Sequence, residues 1–77
     1  MTLQTALIWG QTARPWGYEV RVDLVDPDTG QRYCECLGFA SQVEAEDPVI
    51  FAARLQALQE HLAQQILAEQ MPTENNY

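Results

Sequence analysis

The sequence predicts an α+β fold: a three-stranded antiparallel sheet in β-β-β-α order, with one long C-terminal helix packed on one face. Three observations predict it. Tyr18 to Phe39 reads as a hairpin, the stretch from Pro48 carries an apolar stripe at helical spacing, and Thr2 to Trp9 alternates like a strand.

The hairpin comes first because turn chemistry and side-chain pattern agree there. It closes at Asp26-Pro27-Asp28-Thr29-Gly30, where Asp26 caps the turn, Pro27 pre-sets φ and Gly30 supplies a left-handed residue. Placing Asp26 opposite Gln31 sets Leu24 against Tyr33, Val22 against Glu35, Val20 against Leu37 and Tyr18 against Phe39. All but Glu35 are apolar or aromatic, so these pairs form the core face. Val25/Arg32, Asp23/Cys34, Arg21/Cys36 and Glu19/Gly38 form the other, polar face. A slip of one residue would mix the two sets, so burial specifies this register.

Ahead of the hairpin, Thr2 to Trp9 places Leu3, Thr5, Leu7 and Trp9 on one face and Gln4, Ala6 and Ile8 on the other. Helix is the competing reading, because Leu, Gln and Ala tolerate it; strand is preferred because the neighbouring hairpin offers a sheet to join. Gly10 to Gly17, with Arg14-Pro15-Trp16 inside it, reads as a loop.

Beyond the hairpin, Gly38 to Glu46 is a connection in which Ser41 and Glu44 have capping-box spacing. Asp47-Pro48 is the stronger start signal, an acid at the N-cap and proline at the first helical position. Phe51, Leu55, Leu58, Leu62 and Ile66 then form one stripe. Each, fully buried, contributes roughly 1.5–3 kcal/mol of transfer free energy. The helix is expected to run to about Gln70. Residues 1–71 form one domain and residues 72–77 a polar tail.

The chain has 77 residues, room for one small domain that gains from a partner. Eleven acids against four arginines, with no lysine, give a net charge of −7. That balance disfavours gripping a phosphate backbone, which needs clustered Lys and Arg, so no direct nucleic-acid binding is expected. It suits plain solubility or a basic protein partner. No apolar run approaches the roughly 20 residues of a membrane span. No basic segment precedes an apolar core at the N-terminus, and two cysteines make no disulfide framework. The expected setting is cytoplasmic and reducing.

Chemistry-bearing residues are few. Cys34 and Cys36 share the polar sheet face at a spacing that does not suit an unstrained disulfide. Two such pairs across a dimer could hold zinc with four thiolates, yet zinc sites usually use pairs two or more residues apart. Two small semi-apolar residues on a partly covered face is the simpler account, and no metal or cofactor is expected. His61 is the sole histidine and lies off the apolar stripe, and Ser41 is the sole serine. With no catalytic motif and no glycine-rich phosphate loop, no enzyme activity is expected.

Interaction surfaces are better supported. Arg14 and Trp16 in the loop, with Trp9 as a further candidate, combine large area with polar handles, the composition of interface hot spots; the alternative for Trp16 is folding back over the end of the sheet. Glu44, Glu46 and Asp47 stand where a helix starts; the helix dipole explains them, and an acidic patch for a basic partner is the functional alternative. Thr2 to Trp9 offers no charge or proline to blunt a sheet edge. A homodimer is therefore expected through Gln4, Ala6, Ile8, Cys34 and Cys36, by pairing of first strands or packing of sheet faces.

In element order the chain resembles double-stranded-RNA-binding domains and antitoxins of the HicB type. The lysines that open the second helix of the former are replaced by Glu46-Asp47-Pro48, and the Pro-Asp-Leu and Pro-Gly-Cys signatures of the latter are absent. No function carries over. The expected role is a small acidic, non-catalytic interaction protein, an adaptor, regulator or inhibitor of the kind phages and mobile elements direct at host machinery. The alternative is a metal- or ligand-binding protein using Cys34 and Cys36.

Overall fold

A computed structural model describes residues 2–70; the expected tail, residues 72–77, lies outside the described residues. The elements are β1 (Gln4–Arg14), β2 (Gly17–Val25), β3 (Arg32–Phe39), α1 (Gln42–Glu46) and α2 (Pro48–Gln70). The sheet is antiparallel in the order β1-β2-β3, so β2 is central.

The β2–β3 hairpin has the predicted register at every pair from Tyr18–Phe39 to Val25–Arg32. Its turn holds by the expected chemistry. The Asp26 amide donates to the Gln31 carbonyl at 2.9 Å, the Gly30 amide to the Asp26 carbonyl at 2.8 Å, and the Asp28 amide to Asp26 Oδ1 at 2.9 Å. Gly30 has φ +78°. Burial alternates strictly along β2: Tyr18, Val20, Val22 and Leu24 are buried beneath the helix, while Glu19, Arg21, Asp23 and Val25 face the other way.

β1 departs from expectation in two respects. It does not end at Trp9; it continues through the segment expected as a loop and closes on β2 with Arg14 opposite Gly17. The reason is backbone satisfaction: a Gly10–Gly17 loop would leave the first half of β2 without a ladder on that side. The second departure is irregular pairing, with register shifts between Thr5 and Leu7 and between Ile8 and Gly10. Ala6 and Trp9 are the extra residues, and each bulge re-aims the side chains after it. Leu3 and Thr5 stay on the helix side, but Leu7 now pairs with Asp23 on the open face, and Ile8 pairs with the core residue Val22. The expected face assignment of Leu7, Ile8 and Trp9 is thereby reversed.

Helices follow their capping signals. Ser41 Oγ accepts from the Glu44 amide at 3.3 Å, starting α1. Asp47 ends α1 and caps α2, its Oδ1 accepting from the Val49 amide at 2.9 Å and the Ile50 amide at 3.3 Å. α2 crosses the sheet obliquely. Its N-terminal half sits at the end of β3, where Phe51 stacks on Phe39 with centroids 5.8 Å apart. Farther along, Gln59 Nε2 donates to Thr5 Oγ1 at 3.2 Å, and Ala63 and Ile66 join the core with Leu3. The predicted stripe of Phe51, Leu55, Leu58, Leu62 and Ile66 is the packed one. This course leaves the second half of β1 uncovered on the helix side, so Ile8 stays 46% exposed there. Among the described residues no helix is long and apolar enough to cross a membrane.

Candidate functional site: the open face of the sheet

The sheet face away from the helix collects most residues with interaction chemistry. β2 contributes Glu19, Arg21 and Asp23, β3 contributes Arg32, Cys34 and Cys36, and β1 contributes Gln4, Leu7, Trp9 and Arg14. Trp16 joins from the β1–β2 turn. Its ring lies across Gly38, where a Cβ would meet it at 3.5 Å. Leu7, Trp9 and Trp16 are about half exposed, at 50%, 47% and 59%.

Polar contacts hold this face in shape. Trp9 Nε1 donates to Asp23 Oδ1 at 2.9 Å, and the Arg21 guanidinium lies 5.1 Å from the Trp9 ring centroid. Arg14 bonds Glu19 Oε1 at 2.9 Å, and Arg32 stands 3.9 Å from Asp23. The hydrogen bond from Arg14 holds the Glu19 carboxyl below its ordinary pKa, with partial desolvation opposing. Because the folded value is depressed, whatever this exposed pair contributes is present above the usual glutamate range and is lost as pH falls through the lowered value. Gly10, opposite Arg21, leaves a shallow hollow walled by Trp9, Thr12, Arg14 and Glu19.

Charge is divided unevenly over the molecule. The open face holds three of the four arginines (Arg14, Arg21, Arg32) and two acids (Glu19, Asp23), a net +1. The rest of the described chain sets Arg54 against eight acids. Part of that acidity is the expected cluster at the start of the helices, where each group has a local task. Glu44 accepts from the Ala40 amide at 3.4 Å and stands 3.9 Å from Arg54; Glu46 accepts from Gln42; Asp47 is the cap. Arg54 itself lies over the Phe39 ring and donates to the Gly38 carbonyl.

Of the expected dimer set, Gln4, Cys34 and Cys36 lie on the open face and Ala6 at a bulge on its margin. Ile8 is on the opposite side, turned there by the bulge. Arg14 and Trp16, expected as a separate loop, are instead neighbours of Cys36 and Gly38 on this same face. Two sets predicted apart therefore form one surface. Arg21 lies on this face as its pairing with Cys36 predicts, whereas Leu7 and Trp9 were expected on the other face; Gly10 inside the strand was the available signal of a bulge.

Cys34 and Cys36 are free and exposed. Partial desolvation first, then the hydrogen bond and charge of Asp23, raise the Cys34 thiol above its ordinary pKa. Among the described residues no three His, Cys, Asp or Glu side chains gather as a metal site needs. Both thiols are expected to react with iodoacetamide in native monomer, Cys34 more slowly than an ordinary thiol because its raised pKa leaves less of it as thiolate. Mass spectrometry of timed samples checks this; full protection of both in metal-free monomer would contradict the placement.

No protein-family model matches the chain, and no curated protein or solved structure matches it.

Proposed function

We propose that this protein is a small non-catalytic interaction module, an adaptor, regulator or inhibitor, that docks on another protein through the open sheet face. The observation that carries the proposal is the pair of half-exposed tryptophans, Trp9 and Trp16, set among Arg14 and Arg21 on a rigid sheet. Trp and Arg dominate binding hot spots because they bring large area and directed polar groups with little ordering cost. Here Trp9 is already fixed by a hydrogen bond and a cation, so the cost falls further. The exposed thiols Cys34 and Cys36 suit a reducing, cytoplasmic setting. The acidic start of the helices, Glu44, Glu46 and Asp47 with the exposed Val43 and Val49 beside them, is a secondary contact for a basic rim on the partner.

The test is Trp16→Ala. Binding to a partner captured from the native host and purified is expected to weaken by about 2 kcal/mol or more by calorimetry. Melting temperature is expected to change little, since the ring rests on the sheet surface with more than half its area in water. A large fall in melting temperature with unchanged affinity would make Trp16 a structural residue and remove the proposal's anchor.

A further inference from the structure

We infer that, in the absence of a partner, a second copy of this chain occupies the open sheet face, giving a two-fold dimer with sheets face to face and helices outermost. The inference rests on the proposed role of that face and adds its first occupant.

Charge argues for the second copy. A chain of net −7 repels itself over most approaches, but the open face is near neutral at +1, with both signs present. Along β2 the signs alternate as Glu19, Arg21, Asp23. A dyad lying between the sheets and across the strands, level with the gap between Arg21 and Asp23, sets Arg21 of one copy over Asp23 of the other, twice. The arrangement is self-complementary, as a two-fold interface requires. It also keeps the acids of the two helices as far apart as the two molecules allow. Single-stranded nucleic acid is the other occupant that stacks on tryptophans. It fits less well: carboxylates stand among the arginines of this face, and the remaining surface repels a polyanion.

Area sets the strength. Nine residues of three strands cover about 30 Å by 14 Å, on the order of 400 Å² per copy. Stable interfaces use roughly 800 Å² per partner. The dimer is therefore weak, half dissociated in the micromolar range or above, and it yields to any partner that uses Trp16. Pairing edge to edge through β1 is disfavoured, because the bulges at Ala6 and Trp9 interrupt the regular ladder that edge pairing requires.

Adjacent residues on opposite faces make the test. Sedimentation equilibrium from low micromolar to near-millimolar protein is expected to show mass rising from 8.7 kDa toward twice that value. Leu7→Lys and Trp16→Lys are expected to raise the dissociation constant at least tenfold, while Ile8→Lys leaves it unchanged. All three sites are about half exposed, so folding should survive, and circular dichroism verifies it. Iodoacetamide labelling of Cys34 and Cys36 is expected to slow with rising concentration in the wild type and not in Leu7→Lys. A monomer throughout the range overturns the inference, while the Trp16→Ala affinity test still stands on its own. Equal weakening by Ile8→Lys and Leu7→Lys overturns the face in favour of the β1 edge. Dissociation of the dimer by added oligo-thymidine, with oligonucleotide bound in its place, overturns the choice of occupant.

Discussion

Replacing Phe39 by alanine is expected to remove a large share of the protein's stability. Phe39 is 2% exposed and is among the largest fully buried side chains of the core, with Leu24, Val20 and Val22. It stacks on Phe51 of α2 at 5.8 Å, and Arg54 lies over its ring at 5.3 Å. The side chain thus joins β3 to the first turns of α2, where the helix is attached. Large-to-small changes at such sites cost about 3–5 kcal/mol, because contacts are lost and a cavity remains. A 77-residue domain at roughly 0.05–0.15 kcal/mol per residue has only about 4–12 kcal/mol in total. The loss is of the same order as the stability itself. Urea titration followed by far-ultraviolet circular dichroism measures it. A loss below about 1 kcal/mol would show that α2 is not attached through this ring. Phe39→Leu, which keeps most of the volume, is expected to fold.

The hairpin and the long helix were legible in the sequence for one reason. Each is specified twice, by a local signal and by a periodic one. Asp26-Pro27-Asp28-Thr29-Gly30 and the alternation of Tyr18 to Leu24 agree on one register, and the structure has it. Asp47-Pro48 and the stripe from Phe51 agree on one helix, and α2 is that helix. β1 has only the weaker signal. Thr5-Ala6-Leu7-Ile8-Trp9 is apolar on both faces, so a two-residue period is satisfied by either assignment and no polar residue punishes a slip. Two bulges then cost nothing visible in the pattern. Gly10 reads equally as a strand end or as a bulge neighbour, and the pairing of Gly10 with Arg21 selects the second. The candidate face depended on that choice. Moving Leu7 and Trp9 to the open side turns a modestly apolar patch into one with three large exposed side chains. Tertiary pairing, not local propensity, made this decision.

A second large effect is expected at a residue whose sequence context suggests only a flexible joint. Gly17 follows the Pro15-Trp16 turn and opens β2, with φ at +153°. A Cβ there would lie 2.3 Å from the Phe39 carbonyl oxygen and 3.1 Å from that of Ala40. Both neighbours are backbone, so relief requires the end of β3 to move, and Phe39 moves with it. Gly17→Ala combines an unfavourable dihedral, about 1–3 kcal/mol, with an overlap of the kind that costs a further 1–3 kcal/mol. Gly30→Ala is the internal comparison. Its φ of +78° is also in the left-handed region, but a Cβ meets nothing within 4 Å, so only the dihedral term of about 1–2 kcal/mol applies. Gly38→Ala, with ordinary contact to the Trp16 ring, is expected to be nearly silent by comparison. Thermal melts of the three variants are expected to rank Gly17→Ala well below Gly30→Ala, with Gly38→Ala closest to the parent protein. If Gly17→Ala melts with or above Gly30→Ala, the close approach of the β3 end to the β1–β2 turn is wrong. Trp16 would then lose its seat over Gly38, because that same approach places the ring on the open face.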